Sequence, residues 1–232
     1  MNKKLAKLSE KKDYRAAWLG PITKHKWDNF LKHTFNDPTR EKAYKVIIEY
    51  ILKKNSVVPL SFDEIGFGQC LDFKQCFQLL HDKNRIKYTG YEITKQFVDF
   101  AKEEYPDYQF KAGGFLNLTV PADITYTRHT LEHQHPEIYE KSLIEMLKMT
   151  KHLCIIVWFQ APRGKESFFW AKNDGFENTG AWVNIYHEAK IDTIIKSAGF
   201  KKGKIITDIN KQTYILERIN DKESQGEIFF VC

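Results

Sequence analysis

Residues 60–68, with the sequence Leu-Ser-Phe-Asp-Glu-Ile-Gly-Phe-Gly, combine an acid with two closely spaced glycines. A glycine turn that ends a strand and opens a helix presents free backbone N–H groups, and a ligand can approach it with no Cβ in the way. A dinucleotide fingerprint requires a third glycine where Leu71 stands, and the Gly-Lys-Ser/Thr of a phosphate-binding P-loop does not follow. The pattern around Gly66 and Gly68 therefore indicates a ligand-binding turn of another class, or an ordinary strand-to-helix turn.

Three histidines, His129, His133 and His135, lie close together in a second stretch that can carry chemistry. Imidazole is the side chain whose ordinary pKa suits proton transfer near neutral pH. Their spacing matches no standard zinc signature and no cysteine accompanies them, so we predict no metal site. His129 and His133 are candidates for a general base or for pocket residues, and His133 is equally a candidate for holding the loop.

Alternating strand and helix patterns position these two stretches. Helices are predicted over residues 38–54, 71–81, 95–105, 136–149 and 188–198, and strands over 60–65, 86–92, 108–112, 122–127, 153–159, 204–209 and 213–219. Repeated strand–helix units followed by two adjacent strands predict an α/β fold with a doubly wound, mostly parallel sheet and an antiparallel C-terminal hairpin. Ligands on such sheets bind at the carboxyl ends of the strands, where Gly66, Glu92, Gly113 and Thr127 fall.

Two further segments flank this pattern. Residues 1–36 contain scattered aromatics, among them Tyr14 and Trp18, and are predicted to form a helical or lid segment before a main domain at 37–232. Residues 160–184 show no regular pattern despite several aromatic side chains. Loops of this length in a compact domain usually serve function. We therefore expect residues 160–187 to form a loop or lid on the acceptor side of the site.

The composition fits one globular domain. Hydrophobic residues make up 42% of the 232, enough for a core, and the net charge of +6 comes from scattered lysines, which favours a solvated surface over an anionic partner. No apolar run approaches the roughly 18 residues of a membrane-spanning helix, and the N-terminus does not resemble a signal peptide. The four cysteines lack C-x-x-C spacing, so we expect reduced thiols and a cytoplasmic protein.

The chain resembles the class I, Rossmann-like S-adenosylmethionine-dependent methyltransferases over roughly residues 40–219. Glu-Ile-Gly-Phe-Gly at 64–68 is similar to the first motif of that family. Gly-Tyr-Glu-Ile-Thr at 90–94 is similar to the second. Residues 123–133, which end in Leu-Glu-His, resemble the motif of the fourth strand in the small-molecule branch. The terminal hairpin resembles the antiparallel seventh strand of the family, so the likeness implies a seven-stranded sheet.

The resemblance implies S-adenosylmethionine as the cofactor and S-adenosylhomocysteine as the product. It implies that Glu92 binds the ribose hydroxyls, although a solvated acid at a strand end is the simpler alternative. Glu64 is expected to support the glycine turn and the ammonium group of the cofactor, or to be purely structural. The complete set of expected cofactor contacts is Glu64, Gly66, Gly68, Glu92, Ile93, Gly114, Phe115, Thr127 and Arg128. The family often holds adenine with an Asp where Gly113 and Gly114 stand, so backbone groups, Phe115 or Asn117 are expected to replace it.

The same resemblance implies methyl transfer to a small-molecule acceptor, with oxygen as the expected acceptor atom. His129 and His133 are the candidate catalytic residues. The residues expected to contact the acceptor are Tyr14, Trp18, Trp158, Tyr186 and His187. Core packing or surface exposure is an equally simple explanation for the last three.

Two alternatives remain open from the sequence. A nucleic-acid or protein methyltransferase is one, but amino-directed enzymes usually carry Asn/Asp-Pro-Pro-aromatic where Thr-Arg-His-Thr stands at 127–130, so nucleic acid is disfavoured. The other is a non-catalytic regulatory or partner subunit that keeps the fold, with or without the cofactor, although the intact Gly66, Gly68 and Glu92 count against it. The sequence predicts no oligomeric state, and a shared fold does not prove shared chemistry.

Overall fold

The computed structural model describes residues 38–54, 56–70, 72–74, 83–172, 180–208 and 211–219. The predicted N-terminal segment, with Tyr14 and Trp18, lies outside these ranges. So does most of the helix predicted over residues 71–81. The boundary proposed at residue 37 is therefore untested.

The main sheet has seven strands in the order β3-β2-β1-β4-β5-β9-β8. In chain order the strands are β1 (Leu60–Ile65), β2 (Ile86–Glu92), β3 (Gln109–Ala112), β4 (Ala122–Arg128), β5 (Thr150–Trp158), β6 (Ser167–Lys172), β7 (Gly180–Ile185), β8 (Phe200–Asp208) and β9 (Lys211–Arg218). Strands β1 to β5 of this sheet pair in parallel, and β9 pairs antiparallel with both β5 and β8. The predicted doubly wound sheet with its antiparallel C-terminal hairpin is confirmed.

Helices cover both faces of this sheet. They are α1 (Pro38–Lys54), α2 (Lys95–Glu104), α3 (Tyr139–Lys148) and α4 (Glu188–Ser197). On one face, Ala43 and Ile47 of α1 and Val98 of α2 join a buried cluster with Phe62 of β1. On the other face, helices α3 and α4 join a second buried cluster, called here the α3 face cluster, which contains Ile65 of the same strand. The alternation of strand side chains explains why neighbouring residues of β1 enter different clusters.

Several predicted boundaries shift by a few residues. Helix α3 begins at Tyr139 because Pro136 lies in a preceding turn. Strand β5 begins at Thr150, whose hydroxyl lies 2.6 Å from that of Thr125 on β4 and donates to the carbonyl of Met146. Gly199 follows the C-cap of α4 with a φ of 79°, as predicted for a residue in the left-handed region.

The prediction that residues 160–184 are irregular was wrong. Strands β6 and β7 pair antiparallel and form a separate two-stranded sheet, called here the β6–β7 hairpin. The T-shaped pair of Trp170 and Trp182, with ring centroids 5.5 Å apart, joins the two strands. Each strand is only six residues long, and a polar run separates them that is longer than the turns that identify a hairpin in sequence.

In the described ranges, no helix is long and apolar enough to cross a bilayer. Cys70 and Cys154 are free and buried, as expected for reduced thiols. The other two cysteines lie outside the described residues.

Candidate active site

The glycine turn after β1 has one crowded side and one open side. Gly66 has a φ of 77° and donates its N–H to the carbonyl of Tyr91 at 2.8 Å. A Cβ at this position would overlap the side chain of Thr130, so the turn after β4 packs directly against Gly66. Gly68 has a φ of 51°, and a Cβ there would meet no atom within 4 Å. The open side at Gly68 is where a ligand can approach the backbone.

Glu92, the last residue of β2, holds this turn. One carboxylate oxygen accepts the backbone N–H of Gly68 at 3.0 Å, and the other accepts that of Thr94 at 3.0 Å. The residue is 7% exposed, and burial raises its pKa, although the hydrogen bonds from Thr94 and Gly68 oppose the rise. A buried carboxylate that spans two backbone segments is positioned to receive hydroxyl groups of a ligand.

Glu64 lies in the core, on the α1 side of the sheet. Its carboxylate accepts the hydroxyl of Tyr88 at 2.8 Å, and Tyr88 belongs to the buried cluster on the α1 face. The residue is 3% exposed. This geometry supports the structural alternative for Glu64 and does not test a contact with the ammonium group of a cofactor.

The turn after β3 lies beside the residue that follows Glu92. A Cβ built at Gly114 would lie 3.3 Å from Cγ2 of Ile93, so these two predicted contacts are neighbours. Asn117 accepts the N–H of Gly114 at 3.0 Å through its Oδ1 atom. The ring of Phe115 is buried in the α3 face cluster, whereas the next residue, Leu116, is 44% exposed. The exposed apolar side chains here are therefore Ile93 and Leu116, and the expected ring contact from Phe115 is not available at the surface.

The carboxyl end of β4 is tied to β1 and to the segment after the glycine turn. The hydroxyl of Thr127 donates to the carbonyl of Ile65 at 2.9 Å. The guanidinium of Arg128 lies 3.8 Å from a carboxylate oxygen of Asp72, whose other oxygen accepts the hydroxyl of Tyr126 at 2.8 Å. Both predicted residues thus lie where strands β1 and β4 meet the glycine turn.

His129 follows β4 with a φ of 51°. Its N–H donates to the carbonyl of Val157 at 2.9 Å, and its ring packs edge-on against that of Phe159 at 5.4 Å. Phe159 is 42% exposed. A left-handed backbone is uncommon for residues other than glycine, although His tolerates it better than most, and such residues recur at functional sites.

The motif Leu-Glu-His forms a short 3-10 turn over Leu131–His133. Glu132 is 1% exposed, and its Oε1 atom accepts the N–H of Phe159 at 2.6 Å. Burial raises the pKa of this carboxyl group. Glu132 therefore joins the turn after β4 to the end of β5.

The β6–β7 hairpin contacts this turn from the other side. Nδ1 of His133 lies 2.7 Å from the carbonyl oxygen of Trp182. Tyr186 donates its hydroxyl to the carbonyl of Leu131 at 2.5 Å, and Asn184 donates its amide to that of Gln134 at 2.6 Å. His133, a predicted catalytic residue, is thus held by the segment predicted to face the acceptor.

Trp158 and Tyr186 were expected to contact an acceptor, but both are 0% exposed. The ring of Tyr186 stacks on Tyr139 at 3.9 Å and packs edge-on against Trp158 at 5.7 Å. Their burial follows from their positions in the α3 face cluster. Both side chains support the hairpin from within the core.

Two further histidines lie near the β6–β7 hairpin and helix α4. His187 is the N-cap residue of α4 but makes no side-chain capping bond, and it is half-buried. His135 packs edge-on against Trp182 at 5.6 Å. Among the described residues, no three His, Cys, Asp or Glu side chains form a group able to hold a metal.

Known proteins resemble this chain in structure but not in sequence. By sequence, the chain matches no protein-family profile and no curated protein. The magnesium protoporphyrin IX methyltransferase of Synechocystis PCC 6803, solved with bound S-adenosylhomocysteine, has a TM-score of 0.56 at 16% identity, covering 86% of this chain and 90% of that one. The 1,6-didemethyltoxoflavin-N1-methyltransferase of Burkholderia thailandensis, solved with bound 1,6-didemethyltoxoflavin and S-adenosylhomocysteine, has a TM-score of 0.58 at 13% identity, covering 87% of this chain and 93% of that one.

The chain has the class I methyltransferase fold. A sugar N-methyltransferase from Streptoalloteichus sp ATCC 53650 shares this fold, with a TM-score of 0.61 at 9% identity over 87% of this chain and 94% of that one. Identities this low establish the methyltransferase fold alone, and activity has to be argued from the residues.

The methyltransferase fold brings together residues that sequence reasoning did not assign. Thr130 packs on Gly66, Asp72 contacts Arg128, and Asn184 holds the turn that carries His133. Glu132 lies inside the recognised Leu-Glu-His motif, so the motif could have identified it. Nothing in the local sequence marks Asn184, because its partner Gln134 is 50 positions away.

Proposed function

We propose that this protein is an S-adenosylmethionine-dependent methyltransferase that acts on a small molecule in the cytoplasm. The observation that carries the proposal is the bridge from the Glu92 carboxylate to the backbone of Gly68, at the carboxyl ends of β2 and β1. Switch points of open parallel sheets are where such folds bind nucleotides and related ligands. The free thiols of Cys70 and Cys154 are consistent with a reducing compartment.

The residues fit the cofactor. Gly68 leaves open space where any other residue would place a Cβ. Glu92 offers a buried carboxylate to the ribose hydroxyls, and the exposed side chains of Ile93 and Leu116 offer apolar surfaces for adenine beside Gly114. Arg128 and Thr127 end β4 beside the glycine turn, where the amino-acid portion is expected.

When bound, the cofactor supplies a methyl group on a sulfonium sulfur, open to in-line displacement by an acceptor oxygen. The chain aligns the two reactants, and holding reactants in the correct geometry can lower the activation free energy by roughly 7–11 kcal/mol. His133 or His129 takes the proton that a hydroxyl acceptor must lose. Such proton transfer raises the reaction rate by about 10²–10⁴-fold. His133 is the better candidate because its ring is fixed by the hairpin.

The acceptor is proposed to be a small organic molecule. The compared enzymes are named for magnesium protoporphyrin IX, 1,6-didemethyltoxoflavin and a sugar. Two of those enzymes are named as N-methyltransferases, so acceptor screens should offer amines as well as the hydroxyl compounds that we expect. The exposed rings of Phe159 and Phe169 offer apolar contacts near the turn and the hairpin.

The decisive experiment is calorimetric titration of the purified protein with S-adenosylmethionine and S-adenosylhomocysteine. We expect binding in the micromolar range, and loss of most of it in Glu92→Ala. Asp99→Asn is the matched control, because Asp99 is an exposed acid paired with Lys95 on α2. Absence of binding by folded wild-type protein would refute the proposal.

Turnover is then measured as acceptor-dependent release of S-adenosylhomocysteine. Tight cofactor binding without turnover of any hydroxyl or amine acceptor would indicate a cofactor-binding subunit. Salt-dependent RNA binding with methylation of the RNA would instead indicate a nucleic-acid enzyme.

A further inference from the structure

Strand β7 and the following residue hold the turn after β4 at three points. Tyr186 donates to the carbonyl of Leu131 at 2.5 Å, and Asn184 donates to the carbonyl of Gln134 at 2.6 Å. Between these two points, Nδ1 of His133 lies 2.7 Å from the carbonyl oxygen of Trp182. The three contacts span the whole of the short turn that carries the histidine.

The chemistry of the partners fixes where the protons are. A carbonyl oxygen cannot donate, so Nδ1 of His133 must carry the proton in its contact with Trp182. The neutral ring then has its lone pair on Nε2. Likewise, the Asn184 group beside the Gln134 carbonyl must be the amide nitrogen, because the reversed amide would bring two acceptors together.

The two side-chain donors, Asn184 and Tyr186, are hydrogen-bonded to each other. The amide nitrogen of Asn184 also donates to the hydroxyl oxygen of Tyr186 at 3.1 Å. Both residues are 0% exposed and Trp182 is 2% exposed, so bulk water cannot replace a lost bond. The opposite side of the turn is fixed by the bond from the Phe159 N–H to Glu132.

We propose that strand β7 belongs to the catalytic apparatus: it locks His133 in the Nδ1–H tautomer, with Asn184 and Tyr186 as positioning residues. The role of His133 as proton acceptor rests on the proposed function, whereas the tautomer itself does not. In that role the O–H bond of the acceptor breaks and its proton joins Nε2. The electron pair stays on the acceptor oxygen. The Trp182 carbonyl then stabilises the resulting imidazolium through the same Nδ1–H bond.

The tautomer is measured by long-range ¹H–¹⁵N correlation NMR on protein labelled at histidine. His133→Gln assigns the ring signals among the eight histidines of the chain. The neutral ring of the wild type is expected to show a protonated Nδ1 and an unprotonated Nε2. In Tyr186→Phe and in Asn184→Leu, this single signature is expected to give way to a mixture of tautomers.

Tyr214→Phe is the matched control. Tyr214 lies in the same buried cluster as Tyr186, and within the described part of the chain its hydroxyl has no hydrogen-bond partner. Removing that hydroxyl should leave the His133 signature unchanged. Circular dichroism verifies the folding of each variant. If Asn184→Leu does not fold, the comparison of the His133 ring signals in Tyr186→Phe and wild type tests the proposal.

A protonated Nε2 in wild-type protein would overturn the proposal, as would equal spectra for Tyr186→Phe and Tyr214→Phe. Titration with S-adenosylhomocysteine separates this failure from failure of the proposed function. If the function is right, Tyr186→Phe binds the cofactor product as wild type does, since Tyr186 lies at the hairpin and not at the glycine turn. Once an acceptor is known, Tyr186→Phe is expected to lower kcat with little change in cofactor affinity.

Discussion

The carboxylate of Glu92 accepts the backbone N–H of Gly68 at 3.0 Å and so links the end of β2 to the glycine turn after β1. The same carboxylate is buried, and burial raises its pKa. The residue proposed to bind ribose is therefore in place before the ligand arrives, and its charge depends on pH.

The affinity for S-adenosylhomocysteine is expected to fall as the pH is lowered into the acidic range, because protonation of Glu92 replaces an acceptor oxygen by a donor. The raised pKa moves this loss to a higher pH than an ordinary Glu would show. Glu92→Gln should bind about 10- to 100-fold more weakly, since a hydrogen bond to a charged group contributes about 1.5–3 kcal/mol. Its affinity should also be independent of pH. Calorimetry at several pH values tests both points, and an equal pH dependence in the two proteins would contradict them.

The two glycines of the turn should respond differently to alanine. Gly66→Ala places a Cβ against Thr130 and is expected to lower the free energy of unfolding by several kcal/mol. Gly68→Ala places a Cβ in open space, so only its left-handed backbone costs energy, about 1–2 kcal/mol. Gly68→Ala should nevertheless lose S-adenosylhomocysteine binding. Urea denaturation and calorimetry on both variants make the comparison, and an unchanged affinity in Gly68→Ala would count against the open side as the binding surface.

His129 can be tested for a backbone role separately from a chemical one. Because its φ is 51°, Asn at this position should preserve stability to within about 1 kcal/mol, whereas Val should cost about 1–3 kcal/mol more. The measurement is the urea midpoint of each variant. Equal stability of the two variants would show that the left-handed conformation is not required there.

Asp63 is expected to make the stability of the fold depend on pH. Burial raises its pKa to about 7, opposed by Lys111 and Lys151, compared with an ordinary value of 3.8. The folded protein therefore holds this proton more tightly than the unfolded chain does, and the free energy of unfolding falls as the pH rises from about 4 to about 7, by roughly 4 kcal/mol.

Asp63→Asn removes this dependence, so the variant should be more stable than wild type near pH 8 and show a flatter profile. Urea midpoints at about pH 5 and pH 8 measure the difference. Asp99→Asn on the exposed face of α2 is the control and should follow the wild-type curve. A parallel shift of Asp63→Asn at both pH values would exclude titration of Asp63 as the cause.

The order of strands and helices could be predicted because each element carries its own pattern. Apolar runs, Gly199 and the glycines after β1 are local signals, and the structure places them where the sequence indicated. The β6–β7 hairpin could not be predicted in this way, because its strands are short and are stabilised by contacts with distant elements. Tyr186, for example, donates to Leu131, 55 positions earlier.

The site was predictable to the extent that strand ends define it. Glu92, Gly68 and Thr127 lie at those ends, and parallel pairing brings them to one edge of the sheet. Burial was not predictable. The sequence leaves Trp158 and Tyr186 open between a pocket and plain packing because aromatic side chains serve both, and only the packing of α3 and α4 decides between the two.

The alternation of strand β7 also limits how this protein can be redesigned. Trp182, Asn184 and Tyr186 point inward, whereas Val183 and Ile185 between them are half-buried on the outer side. A hairpin transplanted from another enzyme would have to reproduce every second residue of this strand to keep the turn after β4 in place. Substitutions at the two intervening positions therefore leave these contacts in place, while the three inward residues have to be kept together.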